Sequence, residues 1–528
     1  MAGGELYGRE RPAEGLGSAF AVVHWRLLNA AATPEPGSAR LRAALEGFLP
    51  EALPAGCSSS IFCIGHCHAP GEEIVALELT VDGEALPLTI FGAPRADVLA
   101  AEGGAGGYRS GFWGIASVRA GEPGSAIAVG LRAELAGSGE SFASLGSIPV
   151  TEPVPEPAGA SDDGGPIAVC MATYEPDPEL FAAQIESLRA QTDERWVCVI
   201  SDDCSSPAGV ATIERTVGGD ERFVVDRSPQ RLGFYLNFER ALRLAPAEAS
   251  LVALSDQDDR WYPEKLADLR AAIEHSGTAL AYSDQRLVLA DGTVLRESLW
   301  KGRARNHTDL ASMLISNTIV GASMLIRRDV VATALPFPRG PGWEFHDHWL
   351  ASVALASGGI AYVDKPLYDY VQHAGAIVGN VSVAEGGTAR RTPAAWLRAR
   401  RGMLTRWRSI YFRTLAQLEL QAAILLERCG EGMPARKRRA AQRVLELDRR
   451  RKLLGWLLAR PLRALWGRTE TLGAEWQLAR GAAWRWIIGL RSRGGGAAPR
   501  HPAESGIPPF DVEAFGQRRL KRWLAGRD

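Results

Sequence analysis

The 528-residue sequence predicts three regions: an all-β, sandwich-like N-terminal domain, a central α/β domain with a mostly parallel sheet, and a basic α-helical C-terminal region. Short apolar runs broken by Gly- and Pro-bearing stretches fill residues 19–150, the spacing expected of a β-sandwich. From residue 166 onward strand-like and helix-like runs alternate, as they do around a mostly parallel sheet.

The third observation is a strong charge asymmetry. From residue 390 to the end there are 31 Lys and Arg against 11 Asp and Glu, about +20, whereas the remaining 389 residues carry 29 basic and 50 acidic side chains, −21. We therefore place a β domain at 1–150, a linker at 151–165, the α/β domain at 166–385 and a basic, Trp-rich helical region at 386–493. Residues 494–528 have the composition of a flexible linker followed by a short basic helix.

Composition indicates a globular protein with ample core, since 46% of residues are apolar and 23% are charged. Seven cysteines in no repeating framework indicate a reducing compartment. The N-terminal residues lack the apolar core of a signal peptide, and no uncharged apolar run is long enough to span a membrane. We expect a cytoplasmic protein.

A group of Cys and His residues in the β domain invites a zinc interpretation. It comprises Cys57, Cys63, His66, Cys67 and His68. The spacing matches no common zinc site, and alternation along a strand would direct neighbouring side chains to opposite faces. We do not predict a metal there.

The α/β domain is organised around the stretch LSDQDDRW, residues 254–261. Asp256, Asp258 and Asp259 directly follow an apolar strand at 251–254, and a helix-like segment begins near Pro263. Clustered carboxylates suit Mg²⁺ or Mn²⁺ bound with a phosphorylated ligand. An acidic turn that caps the next helix explains the same spacing equally well. Polar residues also follow the predicted strands at 167–172 and 196–200, and ligands of open α/β sheets bind at such strand ends.

Seven motifs between residues 166 and 380 resemble, in order and spacing, family 2 glycosyltransferases with the GT-A fold. They are ATYEPDPELFAAQIESLRAQT, VISDDCSS, RLGFYLNFERAL, LSDQDDRWYPEKL, NTIVGASMLIRRDVV, EFHDHWLA and YDYVQHAG. The SDQDD-x-W stretch and the late Gln-His pair are most similar to the bacterial rhamnosyltransferase-like branch.

The resemblance implies a nucleotide-sugar site at the strand ends. Its expected donor-binding residues are Thr173, Tyr174, Glu175, Asp202, Asp203, Arg231, Asn237 and Asp256. Tyr174 would pack against the nucleobase, with a buried core tyrosine as the alternative. Asp203 would accept a pyrimidine N–H, although either Asp202 or Asp203 also suits a helix N-cap. Arg231 would lie near phosphate or ribose, and a solvated surface arginine is the alternative.

The resemblance also implies a metal, Mg²⁺ or Mn²⁺, and a catalytic base. Asp258 is expected to bind the metal directly, with Asp256 on the ribose or near the metal, His373 as a further ligand and Asp259 as the cap of the following helix. Asp347 falls where the family carries its base, with a capping aspartate as the alternative. Its neighbour His346 departs from the family's acidic pair. His346 and three other residues, Asn317, Trp343 and Gln372, are expected near the acceptor or the sugar.

Residues 390–528 alternate Arg clusters with Leu, Ile and Trp, and they hold 8 of the 15 tryptophans. Segments 456–466 and 482–493 have the composition of helices that lie in a membrane interface. We expect a peripheral tether to the anionic inner face of the plasma membrane; a helical domain packed on the core is the alternative. No nucleic-acid-binding module is recognised.

The expected function is metal-dependent, inverting transfer of a sugar from a nucleoside-diphosphate donor to a glycan or lipid-linked glycan acceptor in bacterial surface polysaccharide synthesis. The resemblance suggests dTDP-rhamnose as donor. A non-catalytic glycan-binding protein with a degenerate transferase domain is one alternative. A sugar nucleotidyltransferase is another, disfavoured because the loop ATYEPDPE contains no glycine or basic residue.

Overall fold

The structure is a computed structural model that describes residues 41–102, 105–153, 165–301, 306–341, 344–373, 403–464, 471 and 473–493. Strand-like sequence at 19–40, most of the linker and the segment 494–528 lie outside these residues.

The N-terminal domain consists of two mostly antiparallel sheets, which agrees with the expected sandwich-like architecture. Its strands are β1 (Arg42–Leu45), β2 (Leu53–Pro54), β3 (Ser58–His68), β4 (Ile74–Val81), β5 (Glu84–Pro87), β6 (Ile90–Ala93), β7 (Gly111–Arg119), β8 (Ala126–Leu135) and β9 (Gly139–Thr151). The strand orders are β1-β3-β7-β6 and β2-β9-β8-β4-β5, with β2 and β9 paired in parallel. Two short helices, α1 (Ala96–Glu102) and α2 (Ala105–Tyr108), precede β7. Apolar residues of both sheets form one core.

The cysteine and histidine residues of β3 take part in packing and hydrogen bonding within the β domain. Cys63 and Cys67 are buried, and burial raises the pKa of each thiol to about 12. The His66 ring is half-buried and bonds Glu46, 3.1 Å from Nδ1 to Oε1.

The central domain contains a nine-stranded sheet. Its strands are β10 (Ile167–Thr173), β11 (Trp196–Asp202), β12 (Phe223–Arg227), β13 (Leu251–Ser255), β14 (Arg260–Trp261), β15 (Leu280–Leu289), β16 (Val294–Arg296), β17 (Met324–Arg327) and β18 (Ile360–Gln372). The order is β12-β11-β10-β13-β17-β15-β18-β14, with β16 paired to β15. β12, β11, β10 and β13 are parallel, whereas β17 runs antiparallel to both of its neighbours.

The expectation of a mostly parallel sheet is therefore correct only for its first half. The apolar run that forms β17 lies in the motif NTIVGASMLIRRDVV, and apolar composition alone does not indicate strand direction. The strands expected at 167–172, 196–200 and 251–254 agree closely with β10, β11 and β13.

The helices of the central domain flank the sheet. They are α3 (Pro178–Arg189), α4 (Pro207–Val217), α5 (Phe234–Leu244), α6 (Lys265–Ser276), α7 (Leu310–Ile315), α8 (Arg328–Ala334) and α9 (His346–Ser357). α3 begins at a local sequence signal: Asp177 caps it by accepting the N–H groups of Glu179 and Leu180, and Pro178 occupies its first turn. Phe181, Ile185 and Leu188 are fully buried on its inner face.

The C-terminal region is helical, as predicted, in its described part. Its helices are α10 (Met403–Ile410), α11 (Ala416–Cys429), α12 (Ala435–Leu445), α13 (Arg451–Ala459), α14 (Pro461–Ala464) and α15 (Ala474–Arg493), with a π-helical turn at Tyr411–Leu415 between α10 and α11. None of the described helices combines the length and apolarity needed to cross a membrane.

These helices pack against both other domains, which was the alternative to a free membrane-bound segment. The ring of Trp113 in β7 stacks on Trp484 of α15 at 5.9 Å between centroids, and its Nε1 donates to the Tyr411 hydroxyl at 3.0 Å. Arg428 of α11 donates to the carbonyl oxygens of Ser58 (3.1 Å) and Ala334 (2.9 Å), joining all three regions. Trp484 is 6% exposed, so this part of the Trp-rich sequence belongs to the core.

Candidate active site

The end of β10 forms the first wall of the candidate site. Thr173 is buried, and the next residue, Tyr174, is 37% exposed. The Tyr174 backbone N–H donates to Gln257 Oε1 at 2.9 Å, and Gln257 Nε2 donates back to the Tyr174 carbonyl at 3.3 Å. The guanidinium of Arg231 lies 4.0 Å from the centre of the Tyr174 ring. Tyr174 is thus not a core residue, and Arg231 lies beside it as expected for one pocket.

Glu175 directs its carboxylate toward the beginning of α4. Its Oε1 accepts the Ser206 N–H at 2.6 Å and its Oε2 the Ser206 hydroxyl at 3.0 Å. Glu175 and Cys204, just after β10 and β11, have φ values of +45° and +63°, in the left-handed region that costs energy for non-glycine residues. Backbone strain therefore concentrates at the ends of the two strands where the ligand is expected.

The paired carboxylates after β11 hold loops on either side of the pocket. Asp202 accepts the Ser205 N–H and hydroxyl, and Arg227 Nε lies 3.5 Å from its Oδ2. Asp203 accepts the backbone N–H groups of Leu232 and Gly233, the latter at 2.8 Å. Gly233 has φ +83° and ψ 159°, a conformation open essentially to glycine alone. Neither aspartate caps α4, because its N-cap is Ser206.

Asn237 supports the pocket from behind and does not line it. Its side chain is 2% exposed, donates to the Ser201 carbonyl at 2.8 Å and the Thr173 carbonyl at 3.3 Å, and accepts the Ser201 hydroxyl at 2.7 Å. These bonds tie α5 to the ends of β10 and β11. The expected direct contact with the donor is therefore revised to a positioning role.

The central acidic stretch follows β13 and brings three of the predicted residues together. His373 Nε2 lies 2.7 Å from Asp258 Oδ2, and both side chains are about one-fifth exposed. The bond to Asp258 raises the pKa of His373, with further contributions from the charges of Asp258 and Asp177. Burial raises the pKa of Asp256 to about 7, and repulsion from Asp258 and Asp347 acts in the same direction. The expected donor, metal and base residues thus share one electrostatic environment.

Asp259 does not cap α6, which corrects the expectation from the sequence. It is fully buried and its Oδ1 accepts the Val371 N–H at 3.3 Å, whereas the N-cap of α6 is Glu264. Its Oδ2 has no hydrogen-bond partner among the residues that the structure describes. Burial raises the pKa of Asp259 well above its usual range, and Asp256 and Asp258 raise it further.

Lys265 is the residue that sequence reasoning missed. Its side chain is fully buried, with Nζ 3.2 Å from the centre of the Trp261 ring, and it donates to the Ala322 carbonyl. Burial lowers its pKa, while the charges of Asp259 and Asp256 oppose that effect. A lysine at the beginning of an amphipathic helix is expected on the surface. Its position six residues after Asp259 was the only feature of the sequence that pointed to the site.

Asp347 lies in the first turn of α9 and faces the acidic stretch. Burial raises its pKa to about 6, and hydrogen bonds from the backbone of His348 and Gly321 and from the Asn317 side chain partly oppose this rise. The His348 N–H donates to Asp347 Oδ1 at 2.6 Å. The N-cap of α9 is Phe345, which makes no side-chain capping bond. A carboxyl that titrates near neutrality suits a general base.

His346, beside Asp347, is packed among aromatic rings. Its ring stacks on Phe238 at 3.9 Å, and burial lowers its pKa to about 3, so that the imidazole is neutral. A Cβ at Gly321 would lie 2.6 Å from His346 Nε2, so residue 321 must be glycine for the ring to fit. Gln372 is buried at the end of β18 and hydrogen-bonds Tyr370. Trp343 lies outside the described residues.

The side chains near Asp258 could hold a small divalent cation, with the substrate phosphates and water completing its coordination. Among the described side chains no three His, Cys, Asp or Glu residues form a ready-made metal cluster. Mg²⁺ and Mn²⁺ are commonly held by one or two carboxylates, with substrate phosphates and water as the other ligands. Asp258 with His373, and Asp256 nearby, supply that kind of donor set, and a cation would offset the repulsion among the buried carboxylates.

Comparison with known proteins identifies the central domain. Residues 168–334, 167 of the 528, match the model of glycosyl transferase family 2. Residues 168–334 of the central domain belong to this family. A protein of Sinorhizobium fredii, y4gI, is 28% identical over 132 residues, 25% of this chain and 14% of that protein. The putative teichuronic acid biosynthesis glycosyltransferase TuaG of Bacillus subtilis is 25% identical over 146 residues, 28% of this chain and 56% of that protein.

The family 2 domain also resembles solved structures. TarS of S. aureus in complex with UDP-GlcNAc has a TM-score of 0.36 at 16% identity, covering 62% of this chain and 91% of that one. The mannosyltransferase PcManGT of Pyrobaculum calidifontis in complex with GDP-Man and Mn²⁺ has a TM-score of 0.32 at 13% identity, covering 64% and 92%. The chain thus matches only part of the length of its curated relatives and most of the length of these two structures.

Proposed function

We propose that the protein is a metal-dependent, inverting glycosyltransferase that moves a sugar from a nucleoside-diphosphate donor to a glycan or lipid-linked glycan acceptor. The observation that carries the proposal is the arrangement around Asp256. Asp258, which bonds His373, and Asp347, at the beginning of α9, are both close enough to raise the Asp256 pKa. The family 2 match of residues 168–334, which include Asp256 and Asp258 but end before Asp347 and His373, supports it.

In this proposal the walls of the pocket position the donor. Tyr174 packs against the base, Asp203 and the loop it holds border the base and ribose, and Arg231 lies beside the diphosphate. Asp258 and His373, with Asp256, hold Mg²⁺ or Mn²⁺. When bound, the cation supplies Lewis-acid stabilisation of the negative charge on the leaving diphosphate.

Asp347 is the proposed general base. The oxygen of the acceptor hydroxyl bonds to the anomeric carbon while the hydroxyl proton passes to the Asp347 carboxylate. At the same time the bond between the anomeric carbon and the diphosphate oxygen breaks. A single displacement from the opposite face inverts the anomeric configuration. Asn317 and the first turn of α9 orient the carboxylate through the hydrogen bonds described above.

The first test is donor use by the full-length protein. Nucleotide sugars including dTDP-rhamnose, UDP-GlcNAc and GDP-mannose are incubated with it and Mg²⁺ or Mn²⁺, and nucleoside diphosphate release is measured. We expect release from one donor, with dTDP-rhamnose the first candidate because of the branch resemblance, and loss of release on removing divalent cations. Proton NMR of the first-formed sugar anomer tests inversion. Absence of both binding and release with every donor would refute the proposal.

We further propose that the protein acts at the cytoplasmic face of the bacterial plasma membrane in surface polysaccharide synthesis. The supporting feature is a basic C-terminal region with exposed apolar side chains, Trp476 at 57% and Leu462 at 53% exposure. The test is binding of Trp476→Ala/Leu462→Ala to phosphatidylglycerol vesicles, with the exposed Val75→Ala of the β domain as control. Deletion of the region is unsuitable, because α11 and α15 pack into the core. Unchanged vesicle binding by the double variant would contradict this tether.

A further inference from the structure

A large cleft lies between the β domain and the C-terminal helices, apart from the candidate active site. Its volume is about 1390 Å³, and none of the residues assigned above to donor, metal or base lines it. Ligand pockets are commonly about 300–1,000 Å³, so this cleft has room for more than one sugar ring. One wall comes from β4–β6 and their connections, and the other from the beginning of α13 and the last part of α15.

The helical wall of the cleft is basic. Arg449 Nη2 donates to the Thr89 hydroxyl at 3.2 Å, and Arg485 Nη2 donates to the Thr89 carbonyl at 3.0 Å, so that two guanidinium groups meet at one residue between β5 and β6. Arg451 lies 5.7 Å from the centre of the Trp486 ring. Trp486 is fixed in turn, because its Nε1 donates to the Asp448 carbonyl at 2.6 Å.

Acidic residues offset this charge only in part. Glu72, Glu73 and Glu78 belong to the strand wall, where Arg132 pairs with Glu78 at 2.6 Å and Ser138 donates to Glu72 at 2.7 Å. Asp448 lies 3.4 Å from Arg485 Nε, but it is fully buried and also accepts the Tyr411 hydroxyl. Arg449 and Arg451 are exposed, and neither has an ion pair with a carboxylate among the described residues.

We propose that this cleft binds an anionic segment of the glycan acceptor, with phosphate or carboxylate groups held by Arg449, Arg451 and Arg485. Guanidinium groups pair with planar or tetrahedral oxyanions through parallel N–H bonds. The cleft is concave, so a glycan chain can enter it, whereas a flat bilayer surface can contact only its rim. The shape therefore favours a chain as the ligand. This inference rests on the proposed function, because it names the class of acceptor for that transfer. A part of the acceptor distant from the reacting hydroxyl would bind in the cleft, outside the active site.

The test is direct binding of defined probes to the full-length protein by isothermal titration calorimetry. Hexagalacturonic acid is the anionic probe, maltohexaose the neutral one and inorganic phosphate the small anion. The test variant is Arg449→Gln/Arg451→Gln. The matched control is Arg450→Gln/Lys452→Gln, which removes two charges from the same turn at residues that do not line the cleft; Arg450 pairs with Glu446 at 2.8 Å.

We expect hexagalacturonic acid to bind at least tenfold more tightly than maltohexaose and than phosphate. The test variant should lose about tenfold in affinity, equivalent to about 1.4 kcal/mol, and the control pair less than about twofold. Equal losses in both pairs would show general charge attraction and overturn the proposal. So would equal binding of maltohexaose, or phosphate binding as tight as that of the oligomer.

Two further measurements separate this proposal from the others. Phosphatidylglycerol vesicles that lose affinity for the test variant and not for the control would indicate a lipid surface and overturn the glycan assignment. Thermal midpoints within error of wild type establish that the variants fold. Nucleoside diphosphate release measured without an acceptor, which does not involve the cleft, should be unchanged in the test variant. If no donor is used while hexagalacturonic acid follows the expected pattern, the transferase proposal fails and the cleft remains a binding site.

Discussion

Replacing Asp347 by asparagine should abolish transfer and at the same time stabilise the protein at alkaline pH. The change keeps the shape of the side chain and one acceptor oxygen for the His348 N–H, but it removes the proton acceptor. General bases contribute about 10²–10⁴-fold to rate, which corresponds to about 3–5 kcal/mol of barrier. We expect kcat to fall by that factor, with donor KM changed little because Asp347 lies on the acceptor side of the proposed pocket.

The stability effect follows from the raised pKa. The folded protein holds the Asp347 proton with a pKa of about 6, against 3.8 for an ordinary aspartate. The contribution of this group to stability is therefore complete below pH 3.8 and is lost as the pH rises through 6. The difference amounts to at most about 3 kcal/mol, and partial access of water reduces it to about 1–2 kcal/mol. Asparagine carries no such penalty, so the variant should unfold at a higher temperature than wild type at pH 8, and this advantage should disappear near pH 4.

The chain offers a close control in Asp329→Asn. Asp329 is also in the first turn of a helix, α8, and also accepts the N–H of the next residue, Val330, at 3.0 Å. It is exposed and pairs with Arg327, far from any proposed role in transfer. The assay is initial-rate release of nucleoside diphosphate from pH 5 to pH 9, together with thermal unfolding of both variants at pH 4 and pH 8.

Wild-type kcat should rise with pH through about 6 and then level off, and Asp329→Asn should follow the same curve. If Asp347→Asn keeps wild-type turnover, the base assignment is wrong. If it loses activity but is destabilised at pH 8, the carboxylate acts mainly through the helix N-terminus, which favours negative charge by about 0.3–1 kcal/mol, and the burial argument fails.

Three further changes test the rest of the pocket. Tyr174→Ala should raise the donor KM about tenfold and Tyr174→Phe should leave it near wild type, because stacking on a base contributes about 1–3 kcal/mol; equal KM values in initial-rate assays would contradict the stacking role. Asp258→Asn and His373→Asn should each weaken Mn²⁺-dependent binding of the nucleoside diphosphate product by at least about tenfold in calorimetry, without a comparable change in cation-free binding; equal losses in both conditions would exclude a metal role. Lys265→Met should lower the thermal midpoint, because it removes the buried amine whose charge opposes the raised pKa values of Asp256 and Asp259; an unchanged midpoint would show that these carboxylates are held protonated.

The order of domains and the strands of the first half of the central sheet could be predicted from the sequence because each is a local pattern. β10, β11 and β13 are compact apolar runs, and Asp177-Pro178 marks the beginning of α3 through capping and a fixed proline φ. The antiparallel insertion of β17 could not be predicted in this way, because strand direction depends on pairing with residues distant along the chain. The packing of Trp484 on Trp113 depends on such distant contacts too, so composition alone suggested a membrane helix.

The roles of individual site residues also depend on contacts between residues that are distant along the chain. Asp258 and His373 are 115 residues apart, and only family resemblance suggested that they meet. Asp259 and Asp258 are adjacent in sequence, yet one is buried against β18 and the other is partly exposed beside His373. Spacing indicated that the acidic stretch was important, but the direction of each carboxylate comes from the turn between β13 and β14. Lys265 could be recognised as part of the site only from the structure, in which it is fully buried against the Trp261 ring.

The buried charges around β13 explain why the pocket should depend on a cation-bearing donor. Asp256 and Asp259 both have raised pKa values through burial, and Lys265 is the buried cation whose charge opposes that rise in both. When Asp256 and Asp259 are ionised, one ammonium cannot neutralise both of them together with Asp258 and Asp347. A nucleoside diphosphate alone would add negative charge to this environment, whereas its complex with a divalent cation would reduce the total. Because the protein gains stabilisation from any ligand that binds the folded state, a nucleoside diphosphate should raise the thermal midpoint strongly with Mn²⁺ and hardly at all without it.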